Sequence, residues 1–429
     1  MNRQEGSLST VSKKPRFFYG YIVVISGFIV MTIIWATIQS FGVFLKPMSA
    51  EFGWTRAMTS GSLSLTFFTL GFLFIVTGRL NDRFGPRIVA TVCGFFLGLG
   101  YLLMSQISAL WQLYLLYGVF VAMGVSTGLV PMASTVTRWF VKSRGMMTAI
   151  TLSGVGAGGL VGPPVANHLI SNYGWRTSYL IMGIVALVLI IAVAQFLRRD
   201  PSQKGLFPYG DIEAETESLN SEVEGTSLSQ ATRTWQFWLL GFVYLCFGFS
   251  TAAIMVHIVP YATDLGISPL TAANILAITG GVGIVGRIGI GRISDRTGNK
   301  LAFIISLVLL SVSCVCLLVA KELWMFRLFA VLFGIGLGGG AVFASPAVAE
   351  LFGLRAHGAI LGMITFGLTL GSAAGPVITG YIFDTVSSYY LAFLVCAILS
   401  VIGLIMAAFL RFPVREALRK PPETKALVR

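Results

Sequence analysis

The chain has 429 residues, of which 55% are hydrophobic and only 11% charged, with a formal net charge of +13. A water-soluble protein of this length carries about a quarter charged residues to keep its surface solvated, so this composition suits a lipid bilayer. The positive charge does not indicate nucleic acid, because that requires basic residues gathered on one exposed face, and here they fall in short clusters between apolar runs.

A bilayer core of about 30 Å takes about 20 apolar helical residues, since an unpaired backbone group in lipid is costly. In chain order, runs that satisfy this lie at 18–44, 57–77, 88–106, 110–137, 145–170 and 177–197, then at 236–260, 270–291, 301–320, 323–349, 358–382 and 388–410. The expected fold is an all-α membrane protein of twelve transmembrane helices in two six-helix bundles. The domains expected are an N-terminal tail over 1–17, bundles over 18–197 and 235–410, a linker over 198–234, and a tail over 411–429. The first run has no small-residue cleavage site behind it and reads as a retained span, not a signal peptide. In the linker, Asp211, Glu213, Glu215, Glu217, Glu222 and Glu224 punctuate a Ser/Thr-rich stretch. Such a segment buries too little to offset its ordering entropy, so a mobile cytosolic linker is expected.

Orientation follows from Lys and Arg. Twenty-four lie in the N-terminal tail (Arg3, Lys13, Lys14, Arg16), the even-numbered loops, the linker and the C-terminal tail. Only Lys46, Arg56, Arg176, Lys321 and Arg327 lie on the other side. Both termini are therefore expected in the cytosol of a cell-membrane protein. Cys93, Cys246, Cys314, Cys316 and Cys396 all fall in apolar stretches without metal-site spacing and read as packing residues.

Two segments repeat. Gly78-Arg79-Leu80-Asn81-Asp82-Arg83-Phe84-Gly85-Pro86-Arg87 follows the second span, and Gly291-Arg292-Ile293-Ser294-Asp295-Arg296-Thr297-Gly298-Asn299-Lys300 follows the eighth, 213 residues later. A second echo sets Arg138-Trp139-Phe140 and Gly145 against Glu350-Leu351-Phe352 and Gly358. Parallel six-span repeats are one transporter architecture, with the substrate site between the halves near the midplane. The chain resembles the major facilitator superfamily, whose hallmark is the loop G-x-x-x-D-[RK]-x-G-[RK]-[RK] between spans two and three. The resemblance implies that Asp82 and Asp295 join charge networks, with Arg83, Arg87, Arg138, Arg296, Lys300 and Glu350 nearby, that hold the outward-open state. Within the superfamily, several segments look like monocarboxylate transporters and their bacterial relatives, including oxalate exchangers. These are Ser40-Phe41-Gly42-Val43-Phe44-Leu45-Lys46 with Glu51-Phe52-Gly53-Trp54-Thr55-Arg56, Trp139-Phe140-Val141-Lys142-Ser143-Arg144-Gly145, and His257-Ile258-Val259-Pro260-Tyr261.

Arg287 is the one charge deep inside a span, set among Gly280, Gly281, Gly283, Gly286 and Gly289. Such a group costs about 2.5–3.5 kcal/mol on insertion scales and usually faces a cavity or partner. Its guanidinium stays charged and offers a planar fork to a carboxylate. The resemblance implies the same role, since monocarboxylate and oxalate transporters carry a substrate-binding arginine at the matching place. The plain alternative is that Arg287, four residues from Gly291, snorkels to the headgroups. Gln39 stands where animal monocarboxylate transporters have a substrate-linked lysine, Gly283 where an acid or amide often precedes the arginine, and the eleventh span has no basic residue around Ile364 and Thr365. One intramembrane cation fits one carboxylate, so a lactate- or pyruvate-like monoanion is expected over a dicarboxylate.

For coupling, His257 toward the outer end of span seven is the candidate proton acceptor in a symporter, against the reading of an interfacial hydrogen-bonding residue. Gln39, Tyr117, Tyr261, Phe343 and Phe366, with Trp35 nearby, are expected to line the cavity, although aromatics at such spacings more often pack helices together. Pro131, Pro163, Pro164, Pro346 and Pro376 are expected to kink or end spans. No cofactor or metal is called for, and the partners expected are a small organic anion, lipid and protons, with the chain working as a monomer. A drug or sugar carrier is the alternative within the class. A transport-inactive receptor lacks its appendage, and an enzyme has no Ser/His/Asp set or phosphate loop behind it.

Overall fold

The computed structural model describes residues 18–54, 56–210 and 225–412. The basic residues at 3, 13, 14 and 16, the linker acids from Asp211 to Glu224 and the tail from residue 413 lie outside that set. The apolar runs become helices α1 Gly20–Phe52, α2 Arg56–Phe84, α3 Pro86–Met104 and α4 Leu110–Trp139. A single helical stretch, Arg144–Ala194, follows. The rest are α7 Trp235–Asp264, α8 Pro269–Thr297, α9 Asn299–Val319, α10 Leu323–Phe352, α11 His357–Val386 and α12 Tyr390–Phe409.

Eleven helices among the described residues are long and apolar enough to cross a membrane, and Arg144–Ala194 counts as one of them with 51 residues. At 1.5 Å per residue it is about 77 Å long, more than twice a hydrocarbon core. It is two spans. Gly174, at φ 76° and ψ 162°, leaves helical geometry, as glycine does without strain. The packing register reverses there as well. Gly154 and Gly162 meet Phe28 and Ala36 of α1, and Trp175 reaches Glu51 near the far end of α1. Beyond the break, Gly183 and then Ile190 meet Tyr101 and Gly94 of α3 in descending order. The segments 144–173 and 175–194 are therefore α5 and α6, and the described residues form twelve membrane helices.

The two halves are built alike. In the first, α1 packs along α5 and α3 along α6; in the second, α7 packs along α11 and α9 along α12. Stacked rings fill each interior, Phe44 on Tyr179 (3.9 Å) and Phe303 on Phe343 (3.8 Å). The halves meet through α2 against α11 and α5 against α8.

Several helices outrun their apolar runs. Both repeated motifs are helical up to Phe84 and Thr297, and the chain turns only at Gly85 (φ 82°) and Gly298 (φ 95°). The motif charges therefore sit on the last turns of α2 and α8, where they have fixed directions, and not on a free loop. Pro163, Pro164, Pro346 and Pro376 lie inside helices, and Pro131 opens the last segment of α4. Helix α4 carries a π-turn over Leu116–Val121 that the sequence did not announce. The linker is docked at both ends. The Tyr209 amide donates to the Trp139 carbonyl (2.9 Å), and the Thr226 amide to the Phe352 carbonyl (2.8 Å).

At the end of the molecule away from the motifs, Glu51 ties three elements together. It accepts from Arg176 (2.7 Å) and Trp175 (2.6 Å), while Arg176 also donates to the carbonyls of Ser105 and Ile107. The hydrogen bond from Arg176, then that from Trp175, holds the Glu51 carboxyl below the usual carboxylate range. A lowered folded pKa gives stability that is present above the unfolded pKa and lost as pH falls through the folded one. The pair is exposed, so its contribution is small. Glu51→Gln is expected to lower Tm slightly at neutral pH, and in melts of both proteins the gap should close as pH drops below about 4. A gap independent of pH would contradict this assignment.

Candidate functional site

The seam between the halves is built twice. Asp82 on α2 accepts from the amides of Gly358 (3.1 Å) and Ala359 (2.9 Å) in the first turn of α11. Asp295 on α8 accepts from the amides of Gly145 (2.7 Å) and Met146 (2.9 Å) in the first turn of α5. Each carboxylate thus caps a helix of the other half, where unpaired N–H groups and the helix dipole favour negative charge. Donors and acceptors both repeat at the offset of 213 residues. The backbones touch here: a Cβ on Gly145 would lie 2.7 Å from the Gly291 carbonyl oxygen, and one on Gly358 would lie 2.5 Å from that of Gly78.

The electrostatics are not symmetric. Arg138, almost fully enclosed, pairs with Asp82 (3.1 Å) and Asp200 (3.3 Å) and donates across the seam to the Leu354 carbonyl (2.6 Å). Its counterpart Glu350 accepts from Asn299 (2.6 Å), and the cations that act on Asp295 are Arg144 and the exposed Arg292. Of the other motif residues, Arg83 lies over the Phe84 ring, Arg87 donates to Gln195 (2.8 Å) and Lys300 to the Ala408 carbonyl (2.8 Å). Arg296 is exposed. The motifs had announced Asp82 and Asp295, with Arg138 in their network, but not the helix-start amides that each acid accepts from. Two further contacts at the seam went unread in the sequence: the buried Thr137 and Ser345 hydroxyls at 2.6 Å, and the His357 Nε2 at 2.9 Å from the Ser345 carbonyl. The only sequence signal was His357-Gly358 standing where Arg144-Gly145 stands in the first half.

Arg287 lies just past the middle of its span, Asn274–Thr297, and is 8% exposed. That low exposure speaks against a side chain reaching the headgroups. A Cβ on Gly156 of α5 would stand 3.7 Å from an Arg287 terminal nitrogen, so the guanidinium points at the opposite half. It has no hydrogen bond or ion pair with any described residue, and its Nε is buried without a partner. Residues 280, 284, 287 and 291 share one helix face. Along it, Gly291 touches Gly145 and Ile284 packs on Gly156, but a Cβ on Gly280 would meet nothing within 4 Å. The halves are closed from the motif end past Arg287 as far as Ile284, and at Gly280 that contact is gone.

The remaining candidates separate. Gln39 is exposed on α1, close to Gly159, and donates to the Val155 carbonyl (3.3 Å), one residue from Gly156; it belongs with Arg287. Trp35 lies on the same pair of helices, beside Gly158. Phe366 stands at the other seam, 5.1 Å from Phe72. Tyr117 and Phe343 do not line the space between the halves. Tyr117 is fully buried against Phe41 (4.3 Å), and Phe343 is sandwiched on Phe303, both inside their own half. Tyr261 packs in an aromatic cluster with Phe326, Tyr389 and Phe393. His257 sits in the second half, with Nε2 3.0 Å from the Pro376 carbonyl and Nδ1 3.4 Å from the Tyr389 hydroxyl.

Comparison with known proteins agrees with the fold. A model of the Major Facilitator Superfamily matches residues 23–302 and 240–428. The rat monocarboxylate transporter 13 is 26% identical over 90% of this chain and 87% of its own length. The human monocarboxylate transporter 7 is 25% identical over 88% of this chain and 83% of its own length. Among solved structures, the Escherichia coli fucose:proton symporter superposes with a TM-score of 0.70 at 14% identity, covering 92% of this chain and all of its own.

The unequal seams give a test. Replacing Asp82 by Asn removes the charge from two amide contacts and one ion pair, a loss of about 1.5–3 kcal/mol per charged hydrogen bond before relaxation. Spin-label distances across the motif end should widen more in Asp82→Asn than in Asp295→Asn. Equal widening would contradict the asymmetry.

Proposed function

The chain belongs to the major facilitator superfamily of membrane transporters, and from that premise we propose that it carries a small monocarboxylate, lactate- or pyruvate-like, by alternating access. The observation that carries this reading is the buried, unpartnered Arg287 guanidinium, aimed across the seam close to where the halves part. A cation left without a counter-ion in an apolar span is expensive, and an anionic solute supplies what is missing. Gln39 of α1, bonded to the same stretch of α5, offers an amide for a second oxygen of the solute. The relatives named as monocarboxylate transporters support the same substrate class.

Under the positive-inside rule the motif end is cytosolic, so the conformation is closed to the cytosol and open outward, in a cell membrane with both termini inside. Rocking the halves would break the two aspartate caps and expose Arg287 to the other side. We take the coupling ion to be the proton and His257 its acceptor. In the neutral ring Nε2–H donates to the Pro376 carbonyl and Nδ1 accepts from Tyr389. Protonation at Nδ1 requires only that the Tyr389 hydroxyl turn and accept.

The test is uptake of labelled lactate, pyruvate, formate and oxalate into proteoliposomes with an internal pH dye. Lactate or pyruvate uptake with acidification is expected from the wild type. Absence of flux for all four solutes would overturn the proposal. Arg287→Lys, which keeps the charge but loses the fork, should weaken transport by about tenfold or more, taking one charged hydrogen bond as about 1.5–3 kcal/mol. In His257→Ala, proton uptake should vanish while exchange persists. Acidification as in the wild type would remove His257 from the mechanism.

A further inference from the structure

A hollow of about 260 Å³ opens at the motif end of the α2–α11 seam, lined by Arg79, Asp82, Arg83, Arg355, Ala356 and Ala359. Arg79 and Arg83 come from the last turns of α2, and Arg355 comes from the α10–α11 connection of the other half. The acid in this set is already committed, because Asp82 is held by two amides and by Arg138. None of the three lining arginines has an ion pair with a described residue; Arg83 rests over the Phe84 ring. Three guanidinium groups from two halves thus line one recess, and among the described residues the acid beside them is Asp82, which is already held.

We propose that this hollow binds a phosphate-bearing anion, which bridges the two halves. Guanidinium is the group best suited to phosphate oxygens, presenting paired N–H donors in a plane. The arrangement also recurs in sequence: Arg292, Arg296 and Lys142 stand 213 residues from Arg79, Arg83 and Arg355, again two cations after a span and one from the opposite half. Opening the seam would carry Arg355 away from Arg79 and Arg83, so the bound anion favours the closed motif end. Only that consequence for transport rests on the function proposed above; the binding itself does not.

The phosphate group has two sources, a phospholipid headgroup or a soluble phosphate. The full-length protein in a neutral detergent is titrated with short-chain phosphatidylglycerol, short-chain phosphatidylcholine and inorganic phosphate, with occupancy read by native mass spectrometry. Phosphatidylglycerol should bind well above phosphatidylcholine. Each cation near a surface is worth about a factor of five, so Arg355→Gln should weaken it about fivefold. The triple change of Arg79, Arg83 and Arg355 to Gln should weaken it about a hundredfold, and the triple change to Lys should retain most of it. Displacement of the lipid by inorganic phosphate assigns the site to soluble phosphate as well; resistance to displacement assigns it to the headgroup. Equal binding of phosphatidylglycerol and phosphatidylcholine with no phosphate binding, or unchanged affinity in Arg355→Gln and the triple Gln variant, would overturn the proposal. If the triple Gln variant does not fold, the exposed single change Arg355→Gln and the triple Lys variant decide the matter.

Discussion

Two carboxylates hold the halves of this molecule against each other, and everything else about the central space follows from where they sit. Asp82 and Asp295 each reach across the seam to a pair of backbone amides at the start of a helix. Such amides have no partner within their own helix, so the contact satisfies groups that would otherwise need water. It also requires backbone against backbone, which Gly78, Gly145, Gly291 and Gly358 allow. The result is a seal at one end and a parting at the other, with Arg287 near the boundary.

That placement explains how a charged side chain persists in an apolar span. Arg287 is neither at the lipid surface nor neutralised by an acid. It faces Gly156 on the other half, and Ile284 packs on that same glycine one turn nearer the open end. The first half has no such residue, and its inner rings close on themselves through Phe41, Tyr101 and Tyr117. The similar scaffolds therefore differ in this mid-span charge, and the difference falls on the surface they share.

Much of this was legible in the sequence. Apolar length gave the spans, and even Gly174, which splits one long helix into two, lies where the runs 145–170 and 177–197 leave a gap. The repeated motifs located Asp82 and Asp295, and the isolation of Arg287 in an apolar run was visible at once. What stayed hidden was direction around a helix. Aromatic spacing could not say that Phe343 turns toward Phe303, or that Tyr117 turns toward Phe41, because both faces of those helices are apolar. Partners across the seam were hidden for a different reason. The amides of Gly358 and Ala359 carry no side-chain signature, and Arg138 and Glu350 occupy matching places with opposite charge, so the echo between halves did not foretell that only one would hold an ion pair. The clamp of Glu51 on Trp175 and Arg176 was also silent, since its partners lie more than a hundred residues apart.

The account stands on Arg287 taking a carboxylate, and direct binding tests that with no assumption about flux or coupling. Calorimetric titration of the purified protein with lactate and pyruvate, alongside Arg287→Gln, is the measurement. The account predicts saturable binding to the wild type and a loss of about tenfold or more in the variant. Equal affinity in the two proteins would contradict it.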